Sequence, residues 1–339
     1  MKECLSYNDV LLVPQHSNIK SRAEVNLESR LGNKSYTLPI ISSPMDTISE
    51  YKMALTMAKN GGMSIIHRYN DPAKQAEHVR KAKAFGAEII GAAIGVTNGY
   101  MERAELLIEE GASVICIDVA HGHHSLTEKA IKSIKAKYPY VHIMAGNVAT
   151  KEGFEALVEW GADSIRCNIG GGSICTPRVQ PGHGVPGLQT IFECASAANT
   201  KGVKIIADGG IRNAGDIVKA LAAGADFVMV GSLLSGTDQA PGKLLKTPEG
   251  NFKQYRGMAS RDAQMSWRGK SSAPEGVSTM VPWKGDANRI LVELAGNIRS
   301  GLSYSGSRNI AELQDKAEFI KQTNASQSES SAHILKRYR

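Results

Sequence analysis

Lys219-Ala220-Leu221-Ala222-Ala223-Gly224-Ala225-Asp226-Phe227-Val228-Met229-Val230-Gly231-Ser232 holds the unit from which the fold can be read. A helical pattern over Ala214–Ala223 stops at Gly224-Ala225, where glycine can take the left-handed conformation that closes a helix. The apolar run Phe227–Val230 follows, too short for a helix and bounded by turn residues, so it reads as a buried strand. Working outward, Gly86-Ala87, Gly111-Ala112 and Gly161-Ala162 end three further helical patterns in the same way before a new apolar run. The strands expected on this basis are Leu38–Ser43, Met63–His67, Ile89–Ile94, Ser113–Val119, Val141–Ala145, Ser164–Ile169, Val203–Ala207 and Phe227–Val230. The helices are Ile48–Lys59, Pro72–Phe85, Tyr100–Glu110, Leu126–Lys137, Lys151–Glu159, Val185–Ala198, Ala214–Ala223 and, last, Ala287–Ser300. Strands buried on both faces and alternating with helices predict an α/β fold, a (β/α)8 TIM barrel. A doubly wound open sheet would need a nucleotide fingerprint at the first strand-to-helix turn, and Ser43-Pro44-Met45-Asp46-Thr47 is not one.

Composition agrees with one large domain. The 339 residues are 42% hydrophobic and are read as a single barrel domain over 1–339, with an N-terminal extension over 1–37. A long polar insertion at 235–282 would form an active-site flap, functional or disordered, and 322–339 a serine-rich tail, mobile or docked on a partner subunit. No run of about 18 apolar residues occurs, and the opening Met1-Lys2-Glu3-Cys4 lacks a signal peptide's apolar segment. Five cysteines without metal-ligand spacing point to free thiols and a cytoplasmic protein. The net charge of +7 is spread along the chain apart from Lys336-Arg337-Tyr338-Arg339, which favours a phosphorylated small molecule over nucleic acid as partner.

In a barrel, the residues after each strand meet at one mouth, where active sites lie. Here they are Ser42, Ser43 and Met45; His67 and Arg68; Gly95; Asp118 with His121; Gly146 and Asn147; Asp208-Gly209-Gly210; and Gly231-Ser232. The last two turns stand at the usual barrel phosphate site. After the sixth strand comes Asn168-Ile169-Gly170-Gly171-Gly172-Ser173-Ile174-Cys175-Thr176-Pro177-Arg178. Its three glycines let backbone amides crowd a ligand, Ser173 offers a hydroxyl to phosphate, and Cys175 is a candidate nucleophile whose pKa the loop amides and Arg178 would lower. A structural cysteine on a glycine turn is the alternative.

Over nearly its whole length the chain resembles the IMP dehydrogenase / GMP reductase family. The matching stretches are Ile40–Thr47 (IISSPMDT), Ile117–Gly122 (IDVAHG), Ala145–Ala149 (AGNVA), Gly172–Arg178 (GSICTPR), Ala207–Arg212 (ADGGIR), Gly215–Gly224 (GDIVKALAAG), Val228–Ser232 (VMVGS) and Tyr255–Met258 (YRGM). The resemblance implies a barrel in which Cys175 attacks C2 of a purine nucleotide, with NADPH or NAD exchanging hydride there. It implies that Asp208 holds the ribose and that Ser173, Gly210, Gly231, Ser232 and Tyr255 hold the 5′-phosphate. Gly257, Met258 and Glu275 would hold the base edge, with Ser43, Met45 and Asn147 also lining the substrate site. Asp118, with His121, would face the cofactor. A monovalent cation, K+, would sit on the carbonyls of Gly170, Gly172 and Cys175, approached by Glu329-Ser330-Ser331 of a neighbouring subunit in a homotetramer.

Direction is read from what is missing. The passage from His67 to Ile89 leaves no room for the regulatory tandem domain of the dehydrogenases, and Ala259–Pro274 lacks their flap Arg-Tyr pair. Both absences favour a GMP reductase, with GMP and NADPH giving IMP, ammonia and NADP. Asp118–Gly122 and Gly236-Thr237-Asp238 lean toward IMP dehydrogenase, which would oxidise IMP to XMP with NAD. Pro177 stands where the family has a threonine that works with the glutamate matching Glu275, so Thr176 or a water would substitute. A nucleotide-binding protein that has lost turnover is the third reading.

Overall fold

Each of the eight expected strands is present, and the fold follows from how they are capped and joined. The structure, a computed structural model, describes residues 2–198 and 202–330. Ser331 and the basic Lys336–Arg339 end lie outside the described residues. The chain opens with β1 (Val10–Leu12) and a hairpin of β2 (Ser29–Leu31) and β3 (Lys34–Tyr36). The barrel strands are β4 (Ile40–Ser42), β5 (Met63–Ile66), β6 (Gly91–Ile94), β7 (Val114–Asp118), β8 (His142–Val148), β9 (Ser164–Cys167), β10 (Lys204–Asp208) and β11 (Phe227–Val230). The helices between them are α1 (Tyr51–Lys59), α2 (Pro72–Ala84), α3 (Tyr100–Glu109), α4 (Ser125–Lys137), α5 (Lys151–Trp160), α6 (Gly187–Ala198) and α7 (Ala214–Ala222). All neighbouring strands pair in parallel, and β11 closes on β4 through Val228, Met229 and Val230 against Ile40, Ile41 and Ser42.

The Gly-Ala pairs behave as their sequence implies. Gly86, Gly111, Gly161 and Gly224 have φ of 102°, 99°, 106° and 112°. The amide of each following alanine donates to the carbonyl five residues back, as in Ala225 N to Ala220 O at 3.1 Å. That pattern is the Schellman closure, and it turns each helix back toward the barrel. Asp163 and Asp226, one residue on, accept from Ile143 N and Ile205 N at 2.6 and 2.8 Å, which ties each turn to the neighbouring strand.

The hairpin is a plug that the sequence reading left inside an undivided N-terminal extension. Leu31 and Tyr36 insert among Ile41, Met63, Ile65, Met144, Ile206 and Phe227 inside the barrel, with Tyr36 edge-on to Phe227 at 5.4 Å. That end of the barrel is therefore filled with apolar side chains, and the opposite end is left for chemistry.

The insertion at 235–282 is ordered, in contrast to a loop without structure. It contains β12 (Leu245–Thr247), β13 (Gly250–Arg256), α8 (Arg261–Arg268) and β14 (Ser278–Pro282), the strands forming an antiparallel sheet. Lys253 concealed this in the sequence, because a lysine stands at an inward position of β13. It is 4% exposed, and its ammonium donates to Thr237 O at 2.9 Å and to Ala240 O. After α9 (Ala287–Tyr304) come α10 (Ile310–Lys316), β15 (Phe319–Lys321) and α11 (Asn324–Glu329). β15 pairs antiparallel with β1, and Gln322 Nε2 donates to Asn8 O at 2.6 Å, so the described part of the tail lies on its own chain.

Candidate active site at the barrel mouth

A cavity of ≈ 230 Å3 opens at the carboxyl ends of the strands. Its wall includes Ser43, Met45, Asp118, Asn147, Gly170, Gly172, Ser173, Cys175, Asp208, Gly210, Gly231, Ser232, Tyr255, Gly257, Met258 and Glu275, every one of them expected from the sequence. Expected residues outside the wall are the mouth residues Ser42, His67, Gly95 and Gly146, together with His121 and Thr176. His121 lies out on the rim, its ring 6.5 Å from that of His123. Thr176 spends its amide on Glu275 O at 3.0 Å, and its neighbour Pro177 faces the cavity instead.

The glycine loop is shaped by close approach more than by unusual φ. A Cβ on Gly171 would fall 2.1 Å from Asn168 Nδ2, and one on Gly172 would fall 2.6 Å from Cys175 Sγ. Asn168 itself has φ of 143°. Its strained backbone is held by Asn147 Nδ2 donating to its carbonyl at 3.0 Å and by its own Nδ2 donating to Gly209 O at 3.3 Å. The loop is also stitched to the flap's return arm. Cys175 bridges to Gly276, and Val277 N donates to Ile174 O at 3.0 Å, which sets the candidate nucleophile beside Glu275. Arg256, at the end of β13, donates from Nε to Asp46 Oδ2 at 3.0 Å and Oδ1 at 3.3 Å, tying the flap to the loop after β4. α8 meets the wall residue Tyr69 through Trp267, edge-on at 6.2 Å.

The Cys175 thiol departs from expectation. It is open to the cavity, yet burial and the Asp208 carboxylate push its pKa up, and the Gly172 hydrogen bond and Arg178 offset them only in part. Arg178 spends its guanidinium on loop carbonyls, with Nη2 on Val185 O at 2.5 Å and on Ile169 O at 3.3 Å.

Arg166 is the residue that sequence reading missed. It stands on β9 with its side chain 7% exposed, donating to Asp118 Oδ1 at 2.6 Å and to Asp208 Oδ2 at 2.8 and 3.1 Å. Asn147 Nδ2 adds a bond to the same Asp208 oxygen at 2.8 Å. Burial alone would push Asp118 up, but Arg166 and Arg68 outweigh it and hold the carboxyl below its usual range. The signal was a lone arginine inside an apolar strand. We expect Arg166→Met to strand two buried carboxylates and destabilise the fold by about 3–5 kcal/mol. Thermal melts should show partial recovery in Arg166→Met/Asp208→Asn; no loss of stability in the single variant would refute the clamp.

The donors of the mouth differ in how they suit a cation and a nicotinamide. Gly172 O already accepts from Cys175 N at 3.1 Å, and the Arg178 side chain packs on Gly170, where a Cβ would meet Cγ at 2.8 Å. The loop carbonyls alone thus fit K+ poorly. A nicotinamide nucleotide fits better, since Asp118 offers carboxylate acceptors beside the Arg68 and Tyr69 part of the wall.

Comparison with known proteins agrees with this geometry. The family model described as IMP dehydrogenase / GMP reductase domain matches residues 4–333. An inosine-5′-monophosphate dehydrogenase of Cryptosporidium parvum is 38% identical, the match covering 97% of this chain and 94% of that one. A GMP reductase of Leishmania major is 32% identical, with 99% and 98% covered. That alignment runs over 480 positions against 339 residues here, so the relative carries over a hundred positions without a counterpart in this chain. Among solved structures, a cysteine-to-alanine variant of Trypanosoma brucei GMP reductase in complex with guanosine 5′-monophosphate superposes with a TM-score of 0.93 at 31% identity, covering 98% of both chains.

Proposed function

The chain belongs to the IMP dehydrogenase / GMP reductase family of NAD(P)-dependent oxidoreductases acting on purine nucleotides, and on that premise we propose that it is a GMP reductase. The observation that carries the choice is the wall shared by Cys175, Pro177 and Glu275 under a flap without an Arg-Tyr pair. Arg261 and Arg268 are exposed on α8 and outside that wall. An arginine is a poor base unless its surroundings are special, so water activation for hydrolysis has no evident agent. Deamination needs a proton donor at the departing nitrogen, and Glu275 is the carboxyl of the wall that no arginine clamps among the described residues, unlike Asp118 and Asp208.

In this reading the Cys175 thiolate adds to C2 of GMP, and ammonia leaves with a proton from Glu275, giving a thioimidate. NADPH, when bound, supplies hydride to C2. Collapse of that adduct expels the thiolate and releases IMP. Asp208, fixed by Arg166 and Asn147, orients the ribose. Amides of Gly210, Gly231 and Ser232 with the Ser173 and Tyr255 hydroxyls take the 5′-phosphate; the two hydroxyls stand 3.3 Å apart. Burial pushes Tyr255 up to about 12, so it stays a donor at neutral pH. Asp118 faces the cofactor. The same proposal takes the protein as a cytoplasmic homotetramer.

Two incubations test it: GMP with NADPH, and IMP with NAD, each followed by the absorbance of reduced nicotinamide. IMP dehydrogenase is the second reading, favoured by the 38% identical relative and by Asp118–Gly122. NADH appearing in the second incubation, with nothing in the first, would establish it. The phosphate cradle has a separate check. Charge-assisted hydrogen bonds contribute about 1.5–3 kcal/mol each, so guanosine should bind at least about a hundredfold more weakly than GMP by calorimetry. Equal affinities would remove the assignment.

A further inference from the structure

Beyond Ser173, Gly210 and Ser232 the nucleotide cavity continues outward into a second cavity of ≈ 200 Å3, closed on its far side by the N-terminal segment Ser6–Asn8. The purine reaction at Cys175 has no use for this space. Its wall contains two arginines, Arg178 and Arg212, and no acidic side chain. Arg212 is held by Asp216, which accepts from its amide and Nε at 3.0 and 3.2 Å, and by Asn8. Its Nη1 has no partner among the described residues, and neither does Nη1 of Arg178.

Tyr7 is the independent observation. It is 5% exposed and lines this cavity. Its ring edge lies 3.4 and 3.7 Å from where a Cβ on Gly187 or Gly210 would stand. Its hydroxyl has no hydrogen bond among the described residues. The side chain is buried but the hydroxyl oxygen keeps an accessible face, so it opens into the cavity as a donor available to an acceptor there. Burial, with Asp216 nearby, pushes the phenol up and keeps it a donor. Two guanidinium edges and a phenol, next to glycine amides that already suit one phosphate, match the oxygens of another.

We propose that the outer cavity is a second phosphate subsite, resting on the nucleotide reading above. It takes a second phosphate group next to the first, either the β-phosphate of a purine nucleoside diphosphate or free phosphate beside the monophosphate.

Calorimetry on the full chain with guanosine, GMP and GDP, and with GMP in phosphate against chloride buffer, tests it. GDP is expected to bind at least as tightly as GMP. Tyr7→Phe and Arg212→Gln should each weaken GDP about tenfold while moving GMP by no more than about twofold. If free phosphate is the occupant, phosphate buffer should tighten GMP instead, and the two variants should cancel that gain. Tyr7→Phe keeps the ring and its packing, so loss of fold is not a competing account. GMP binding no better than guanosine would sink the nucleotide reading itself. Tight GMP with GDP as weak as guanosine and phosphate only competing would overturn the subsite alone. Parallel loss of GMP and GDP in Tyr7→Phe would also overturn it, because the outer cavity would then serve the single 5′-phosphate.

Discussion

Cys175→Ala is expected to bind GMP with little change in affinity and to lose turnover by about 10^4-fold or more, as removal of a nucleophile does elsewhere. Hydride exchange between labelled NADPH and nucleotide should vanish with it, since no covalent adduct can form at C2. Calorimetry and exchange together check this, and full activity in the variant would end the covalent mechanism. The wild-type pH profile belongs to the same argument. Only the thiolate attacks carbon, and in the free protein burial and Asp208 raise the thiol's pKa. The thiolate fraction is therefore small at neutral pH and grows as pH rises. kcat/KM should climb through and past the ordinary thiol range of about 8.5. A flat profile from neutral pH upward would mean that the sulfur is already ionised. Cys167 and Cys194 are buried packing residues and should tolerate alanine far better, whereas Cys116 lies under Arg166, whose Nη1 is 3.5 Å from its sulfur.

Glu275→Gln should nearly eliminate conversion of GMP to IMP, by about 10^2–10^4-fold, the range for removing a positioned acid. Binding should persist, because glutamine keeps the shape and the hydrogen-bonding edge. Pro177→Thr should act in the opposite sense and raise the rate. Proline offers neither hydroxyl nor N–H, and it lines the same wall as Cys175 and Glu275. A threonine there restores a hydroxyl at the departing nitrogen, which Thr176, outside the wall, does not supply. Steady-state rates with GMP and NADPH check both variants. NAD-dependent XMP formation, slowed by Arg268→Ala only at hydrolysis, would instead show that this arginine activates water from α8.

Local sequence was enough for the barrel itself. Four Gly-Ala closures and eight short apolar runs each carry their own instruction, since helix termination and strand burial depend on residues within a few positions. The mouth residues followed, because a parallel barrel delivers every strand's carboxyl end to one face. The hairpin plug, the order within the flap and the charge arrangement at the site were not legible in that way. Leu31 and Tyr36 mean nothing until a barrel interior exists to receive them, and Lys253 reads as surface until carbonyls from Thr237 and Ala240 surround it. Arg166 meets Asp118 and Asp208 across 48 and 42 residues of chain. The raised pKa of the Cys175 thiol likewise comes from burial first and then from Asp208, on the next strand of the barrel. The sequence pointed to the candidate reacting groups because residue type is local; their ionisation, partners and facing were decided by tertiary structure, because electrostatic and packing energies depend on distance in space and not on separation along the chain.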